Sequence, residues 1–183
     1  MDVAPTPIDP EIIVITGAMA SGKSAVAESL AHRFTRSVHV RGDVFRRMVV
    51  RGRAEVTPDA GPEADRQLCV RYRLAVAAAE AYAGEGFSVV YQDVILGGHL
   101  AEVVAGFAHR PLSVVVLCPR PDVLVSRDAG RVKTGYGSWT PEHLDRLLRR
   151  ETPPLGLWLD SSDLDVEETV DAILGDPRRV IDG

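Results

Sequence analysis

The stretch of sequence that decides the fold lies near the N-terminus, where residues 11–24 read Glu-Ile-Ile-Val-Ile-Thr-Gly-Ala-Met-Ala-Ser-Gly-Lys-Ser. Its first six residues are a short run rich in β-branched side chains, which is typical of a strand buried within a sheet. The next eight match the pattern GxxxxGK[ST] without a mismatch. Ala, Leu and Val then recur at helical spacing over residues 23–34. The stretch therefore predicts a strand, a glycine-rich loop and a helix, in that order.

A glycine-rich loop in this position is suited to binding phosphate. Glycines let successive backbone N–H groups turn towards one anion, and the helix N-terminus adds its partial positive charge. The lysine would bridge the β- and γ-phosphates of ATP, and the hydroxyl that follows it would bind Mg²⁺. We therefore predict ATP and Mg²⁺ as cofactors, with Lys23 also acting in catalysis and Ser24 also binding the metal. The predicted nucleotide-binding residues of this loop are Gly17, Ala18, Met19, Ala20, Ser21, Gly22, Lys23, Ser24 and Ala25.

Strands and helices alternate along the rest of the chain. Further strands are predicted at residues 38–40, 87–91, 112–117 and 157–159, and helices at 43–50, 63–83, 100–108, 121–128, 141–150 and 166–174. Nearly all of the strands are continuous apolar runs, which indicates a parallel sheet with helices on both faces. We therefore predict a three-layer α/β/α fold with a five-stranded parallel sheet, whose ligands bind beyond the carboxyl ends of the strands.

Length and composition indicate one globular domain with a full apolar core, since the chain has 183 residues, 45% of them hydrophobic and 26% charged. We predict a flexible tail over residues 1–10, which contain three prolines, and a single domain over 11–183. The net charge of −5 excludes a general affinity for nucleic acid or anionic membranes. Cys69 and Cys118 are expected to be buried, reduced thiols. Because no targeting pattern or membrane-length apolar run is present, we expect a cytoplasmic protein.

Two other classes of phosphate-loop protein do not fit this sequence. Guanine-specific switches usually carry an Asn-Lys-x-Asp element, and neither of the two lysines lies in such a setting. Large motor ATPases usually have Asp-Glu after an apolar strand, whereas here Asp93 is followed by Val94. Small kinases remain.

The order of the remaining motifs resembles that of small kinases across residues 12–174. An Asp follows the second strand, another Asp ends the third, and an arginine-rich segment precedes a short last strand. The chain resembles P-loop kinases of the nucleoside-monophosphate-kinase-like fold. It is more narrowly similar to the chloramphenicol-phosphotransferase-like group, because residues 92–98 read Gln-Asp-Val-Ile-Leu-Gly-Gly. The resemblance implies an ATP-dependent kinase with a short lid at about residues 127–139 and a hydroxyl of a small organic molecule, an antibiotic among them, as acceptor.

Two carboxylates are the candidates for catalysis and metal binding. The resemblance implies that Asp43 is the general base for the acceptor hydroxyl, and a carboxylate one strand away from the phosphate loop is placed to orient that hydroxyl. The alternative is that Asp43 only caps a helix starting at Val44. Asp93, at the end of an apolar strand, would hold Mg²⁺ directly or through water and could also touch the acceptor. The alternative is a turn residue bonded to local backbone.

Arginines are the candidates for neutralising the transferred phosphoryl group. Arg127 and Arg131 are four residues apart in a helix-like stretch and project from one face, as in a kinase lid that closes over the nucleotide. Arg127 is therefore also predicted to bind the nucleotide, and both are predicted to be catalytic. The alternative is a solvated basic patch. Whether the neighbouring Lys133 acts in the lid is left open.

The acceptor is the least determined part of the prediction. Arg46 and Arg47 follow Asp43 at helical spacing and are candidate substrate-binding residues, together with Asp43 and Asp93. Nucleotide kinases carry a further Arg shortly after the third-strand Asp. Here residues 94–98 are apolar or small instead, which favours a neutral or hydrophobic acceptor over a phosphate.

Two alternatives to this function stay open. The basic residues within 41–53 leave a nucleoside, nucleotide or polynucleotide 5′-hydroxyl kinase as the first, and a nucleotide-dependent switch is the second. Nucleic acid and membrane are not expected partners, and both a monomer and a homo-oligomer remain possible. On the long helix, Arg66, Arg71 and Arg73 either line the cleft or are solvated, and we expect them to be solvated.

Overall fold

The computed structural model describes residues 10–108, 111–129 and 139–181. The strands are β1 (Ile12–Gly17), β2 (Ser37–Arg41), β3 (Ser88–Gln92), β4 (Leu112–Leu117), β5 (Leu157–Leu159) and β6 (Val180–Ile181). The helices are α1 (Lys23–Ala31), α2 (Gly42–Arg47), α3 (Pro62–Gly84), α4 (His99–Ala105), α5 (Pro121–Ala129), α6 (Pro141–Glu151) and α7 (Val166–Gly175). A short 3₁₀ turn, Pro177–Arg179, precedes β6.

The sheet brings the carboxyl ends of β1, β2 and β3 to one edge. Its order is β2-β3-β1-β4-β5, and all four pairings along this path are parallel. The elements that follow β1, β2 and β3 are therefore neighbours in space, with the end of β3 between the other two. The predicted three-layer parallel fold is confirmed.

The number of strands differs from the prediction, because the sheet has six strands among the described residues rather than five. β6 pairs antiparallel with the start of β4, with Ile181 beside Leu112 and Val180 beside Ser113. A strand of two residues is too short to produce a periodic pattern in a sequence. It is held beside the sheet by the buried Arg179, which donates to Glu11 and Ser113 at 2.7 and 2.6 Å.

Alternate residues of each central strand pack on opposite faces of the sheet. In β1, Ile12 and Val14 join a core built with α3, α4, α5 and α6, whereas Ile13 and Ile15 join a core built with α1 and α7. Both cores are fully covered, which explains why the central strands read as unbroken apolar runs.

The second helix is shorter than predicted. We predicted a helix over residues 43–50, but α2 begins at Gly42 and ends at Arg47, and residues 49–61 form an irregular segment. Asp43 is the second residue of α2, and the position that caps this helix belongs to Arg41. The interpretation of Asp43 as a helix cap is therefore wrong.

Several sequence predictions concern residues outside the described ranges. The predicted tail lies almost entirely within residues 1–9, and most of the predicted lid lies within 130–138. Within the described part of the chain, Cys69 and Cys118 are free thiols, as predicted, but only Cys118 is buried, and Cys69 is half-buried. No helix there has both the length and the apolar character that a membrane span requires.

Candidate active site

The loop between β1 and α1 has the backbone of an anion-binding turn. Gly22 has a φ of +93° and directly precedes α1, whose first backbone N–H groups have no partner within the helix. Ala20 has a φ of +62°, an uncommon conformation for a residue with a side chain and one that concentrates at functional sites. The loop is therefore shaped to present backbone donors to an anion.

Lys23 lies over the inside of this loop. Its Nζ donates to the Ala18 carbonyl oxygen at 2.7 Å and to Ser21 Oγ at 3.4 Å, and the residue is 8% exposed. The ammonium group is thus held at the loop, where a bound phosphate could exchange for these neutral partners. The next residue, Ser24, is exposed at the start of α1, so its hydroxyl is open to a metal ion.

Arg127 of α5 links the phosphate loop to the segment after β5. Its Nη2 donates to the Ser161 carbonyl oxygen at 3.0 Å, and its Nη1 lies 3.5 Å from the Ser21 carbonyl oxygen. A Cβ on Gly22 would lie 3.9 Å from the same Nη1. Of the two predicted lid arginines, Arg127 is therefore beside the loop. Arg131, like Lys133, lies outside the described residues.

Of the two Asp43 carboxylate oxygens, one accepts a hydrogen bond from an arginine and the other accepts none from the described residues. Arg47 Nη2 donates to Asp43 Oδ2 at 2.5 Å, and Arg41 Nε lies 3.9 Å from Oδ1. Oδ1 is buried and accepts no hydrogen bond from any residue that the structure describes. A buried acceptor of this kind is suited to take a hydrogen bond from a hydroxyl group, because leaving it without one is costly.

Asp93 is held by Arg71, an arginine that was predicted to be solvated. The residue is 3% exposed, and Arg71 Nε donates to its Oδ2 at 2.7 Å while Arg71 Nη2 contacts Oδ1. The backbone N–H of Val94 donates to Oδ1 at 2.7 Å, and the Tyr91 hydroxyl lies 3.3 Å from Oδ2. Both carboxylate oxygens thus have partners in this arrangement.

The expectation that Arg71 is solvated is wrong. Burial lowers the pKa of the Arg71 guanidinium, while the negative charge of Asp43 acts in the opposite direction. The helical spacing indicates that Arg71 is on the buried face of α3. Residues 64, 68, 71 and 75 lie on one face of this helix, and none of the four is exposed.

The two predicted acceptor-site arginines pair with carboxylates of the chain itself. Arg46 forms an ion pair with Glu55 in the segment after α2, and Arg47 pairs with Asp43. Neither guanidinium is free to read an acceptor phosphate in this arrangement.

An apolar cavity of about 220 Å³ opens between α2, the segment after it and α3. Its walls are mostly hydrophobic, with Arg46, Gln67 and Arg71 as the polar lining residues; the apolar ones include Phe45, Met48, Val56, Leu68, Val70 and Leu74. Trp139 Nε1 donates to the Val56 carbonyl oxygen at 2.9 Å on the same segment. A larger depression of about 400 Å³ between α1 and α7 is open and shallow, and Ala25 is the only predicted site residue in it.

A model of the AAA domain family (AAA_33) matches residues 12–154. The chain belongs to this family. The match extends from the start of β1 to just beyond α6, so it includes the phosphate loop, Asp43, Asp93 and Arg127. A comparison with curated protein sequences finds no significant match.

Solved structures similar to this AAA-family chain have a kinase-like P-loop fold. An unliganded sugar kinase from Janibacter sp. HTCC2649 has a TM-score of 0.62 and 17% identity, covering 90% of each chain. The Deinococcus radiodurans tunicamycin resistance protein has a TM-score of 0.62 and 17% identity, covering 90% of this chain and 93% of that one. A chain of the Pnkp1/Rnl/Hen1 RNA repair complex has a TM-score of 0.59 and 19% identity. The match covers 78% of this chain and 44% of that one. At these identities the likeness shows the fold.

In this AAA domain, hydrogen bonds connect the end of β1 to the segment that carries Asp93. The Asp93 backbone N–H donates to the Ile15 carbonyl oxygen at 3.2 Å, and the Thr16 hydroxyl exchanges two hydrogen bonds with the backbone of Ile95, at 2.7 and 2.9 Å. The loop that would bind phosphate and the buried carboxylate beside it are therefore one rigid unit. This edge of the sheet therefore combines a positively charged loop that can bind an anion, a hydrogen-bond acceptor at Asp43 and an apolar cavity.

Proposed function

We propose that this AAA-family chain is an ATP- and Mg²⁺-dependent phosphotransferase that moves the γ-phosphoryl group of ATP to a hydroxyl group of a small organic molecule. One observation carries the proposal. The phosphate loop follows β1 and Asp43 follows β2, and only β3 separates these strands. An acceptor at Asp43 and a triphosphate in the loop would meet at one edge of the sheet. The kinase-like fold supports the same reaction class.

The residues of the loop fit a nucleotide triphosphate. Lys23 supplies a positive charge at the loop, and the start of α1 supplies backbone donors next to it. Arg127 supplies a second positive charge beside Gly22. Because Arg127 also contacts Ser161, the segment after β5 lies close to the loop, and the nucleotide base would bind against that segment. In this proposal, Arg127 and Arg131 stabilise the charge on the transferred group.

The fit to Mg²⁺ differs between the two predicted ligands. The Ser24 hydroxyl is exposed beside the loop and can bind the ion directly. Asp93 can bind the ion directly only if Arg71 moves away, because both Asp93 oxygens already have partners. If Arg71 stays in place, Asp93 holds the ion through a water molecule. Bound Mg²⁺ neutralises phosphate charge and orients the triphosphate.

Asp43 acts as the general base in this proposal. The acceptor hydroxyl donates its hydrogen bond to Oδ1, the buried oxygen that accepts no hydrogen bond from the described residues, while Arg47 fixes the other oxygen. As the hydroxyl oxygen attacks the γ-phosphorus and the bond to the β-phosphate oxygen breaks, the hydroxyl proton passes to Asp43. The main contribution of such a residue is to orient the attacking oxygen.

The cavity beside α2 defines the acceptor class. Its apolar walls and volume of about 220 Å³ suit a compact molecule, or part of a larger one, that combines an apolar body with a free hydroxyl. An antibiotic of that kind belongs to this class, and the protein named for tunicamycin resistance has the same fold. We propose an acceptor of this class, a cytoplasmic location, and neither membrane nor nucleic acid as a partner.

Replacing Asp43 tests the base assignment directly. In Asp43→Asn the isosteric amide keeps the shape but cannot take the proton. We expect turnover with an accepted alcohol to fall by about 100-fold or more, with ATP affinity changed by less than about threefold, because Asp43 does not touch the nucleotide in the proposed arrangement. The matched control is Asp59→Asn, an exposed position in the segment after α2. Turnover of D43N near the wild-type value would refute the role of Asp43.

A nucleoside, nucleotide or polynucleotide 5′-hydroxyl kinase is the second candidate. The similarity to a chain of an RNA repair complex and the basic residues within 41–53 favour it. The pairing of Arg46 and Arg47 with carboxylates and the apolar cavity count against it. Phosphorylation of oligonucleotides at two salt concentrations separates the candidates, because binding through several phosphates weakens steeply with salt.

A further inference from the structure

Three potential metal ligands of different chemistry meet between α3 and α4, at residues that line neither the phosphate loop nor the apolar cavity. Asp65 and Cys69 are one helical turn apart on α3, and His99 is the first residue of α4. One ligand atom from each lies within 4.8 Å of the other two, and His99 Nε2 is 3.2 Å from Asp65 Oδ1. None of the three belongs to the proposed phosphotransfer site.

We propose that Asp65, Cys69 and His99 form a binding site for a divalent metal ion with the preferences of Zn²⁺. A thiolate, an imidazole and a carboxylate are the three ligand types that Zn²⁺ takes in proteins, and three protein ligands leave a fourth, tetrahedral position for water. In a tetrahedral site the N and O ligands stand about 3.3 Å apart, close to the 3.2 Å between His99 Nε2 and Asp65 Oδ1. Cys69 Sγ, which lies within 4.8 Å of a ligand atom of each of the other two residues, would move inwards to complete the site.

The second nitrogen of His99 has the partner that a metal-binding histidine needs. Glu102, one turn further along α4, places its Oε2 3.3 Å from His99 Nδ1. With a metal ion bound, a carboxylate on Nδ1 would hold the proton there and leave the Nε2 lone pair for the ion. Zinc-binding histidines in proteins commonly have such a carboxylate behind them.

Packing also restricts the orientation of the imidazole. The His99 ring lies against the ring of the buried Tyr72, with centroids 5.6 Å apart. The Tyr72 hydroxyl donates to the Val94 carbonyl oxygen at 2.7 Å, which fixes the ring that His99 packs on. Cys69 is half-buried, so the thiol and imidazole have limited freedom in the absence of metal. Because the ligands come from α3 and α4, a bound ion would join these two helices.

Spectroscopy with Co²⁺ tests the site independently of any kinase activity. Protein without a histidine tag, treated with a chelator and dialysed, is titrated with Co²⁺ and then with Zn²⁺ against a chromophoric competitor. We expect one ion per chain, a near-ultraviolet thiolate-to-cobalt absorption band, and a rise in Tm on adding Zn²⁺ because the ion binds the folded state. Absence of stoichiometric binding would overturn the proposal.

Variants assign the binding to these residues. Cys69→Ser should remove the thiolate band, and Cys69→Ser and His99→Asn should each weaken Zn²⁺ binding at least tenfold. Glu102→Gln should weaken it about tenfold, as removal of an outer carboxylate does. Cys118→Ser, at the buried thiol directly after β4, is the control and should change neither the band nor the affinity. Each variant is compared in the chelated state by Tm, so that a folding defect is separated from lost metal binding. Unchanged Zn²⁺ affinity in C69S and H99N would refute the site.

Discussion

The guanidinium of Arg71 pairs with both oxygens of the Asp93 carboxylate. This pair joins the middle of α3 to the end of β3, and Asp93 is almost fully buried within it. Gly42 lies so close to Asp93 that a Cβ there would collide with the carboxylate. The pair and its contact with Gly42 therefore connect α2, α3 and the end of β3 at the edge of the sheet where phosphate transfer is proposed. The Asp93 carboxylate is thereby kept in a defined position next to the phosphate loop.

Removing Arg71 should destabilise the protein strongly. Arg71→Met keeps most of the side-chain volume but leaves the Asp93 carboxylate buried without its cation. We expect the free energy of unfolding to fall by about 3 kcal/mol, since breaking one half of a buried ion pair leaves an uncompensated charge. Urea unfolding followed by circular dichroism at neutral pH measures the change.

Two further variants make the Arg71 result specific. Arg73→Met changes an exposed arginine on the same helix and should alter stability by less than about 0.5 kcal/mol. The double variant R71M/D93N removes the buried charge as well and should be more stable than R71M alone. Equal stability of R71M and R73M would contradict the proposed contribution of the pair.

Adding one methyl group at Gly42 should also destabilise the fold. The Cβ of Gly42→Ala would overlap the Asp93 carboxylate, which Arg71 prevents from moving aside. We expect a loss of about 1–3 kcal/mol in urea unfolding, the usual range for overpacking. Gly84→Ala is the control, since a Cβ on this last residue of α3 meets nothing within 4 Å. If the G42A protein were as stable as G84A, the start of α2 would be able to move away from Asp93.

The parts of the fold that depend on local patterns could be predicted from sequence. The unbroken apolar runs of β1 and β4 reflect burial on both sheet faces, and the phosphate loop is specified by residues that adjoin one another in the chain. Among the strands of the described residues, the two-residue β6 alone was not predicted, because its pairing partner lies about seventy residues away and its own sequence is too short to indicate it.

The site was less predictable because its contacts join distant residues. The role of Arg71 is decided by Asp93, which lies 22 positions further along the chain, so no local pattern specifies the pair. The early end of α2 likewise creates the cavity, since residues that were predicted to continue the helix instead form one of its walls. The identity of an acceptor depends on the shape of that cavity, which hydrophobic periodicity does not encode.

Arg127 should contribute to nucleotide affinity. It lies between the phosphate loop and the segment after β5, so Arg127→Met removes a positive charge next to the predicted triphosphate. We expect the Kd for ATP to rise about tenfold, the size of one charge-assisted hydrogen bond, in isothermal titration calorimetry. Arg120→Met is the control, because Arg120 pairs with Asp163 in the same segment without contacting the phosphate loop. An equal effect of both variants would assign the loss to disorder of the segment instead.

The segment after β5 should show a pH-dependent contribution to stability from Asp160. The Ser162 hydroxyl donates to Asp160 Oδ1 at 2.5 Å, and this hydrogen bond lowers the pKa of the carboxyl, opposed in part by desolvation. A lowered folded-state pKa stabilises the protein above the unfolded pKa of about 3.9, and this contribution is lost as the pH falls through the folded value. Ser162→Ala should therefore reduce the free energy of unfolding at pH 7 by less than about 1 kcal/mol, because the site is exposed and screened.

The pH series separates this effect from the loss of a second hydrogen bond. Ser162 Oγ also accepts from the Arg120 backbone N–H at 2.7 Å, and that contact does not titrate near the carboxyl pKa. The difference between wild type and S162A in urea unfolding should therefore shrink as the pH is lowered from 7 to about 3, without reaching zero. Ser126→Ala, an exposed position on α5, should show no such trend. A difference that stays constant over this range would mean that the Ser162 hydroxyl stabilises the segment through Arg120 alone.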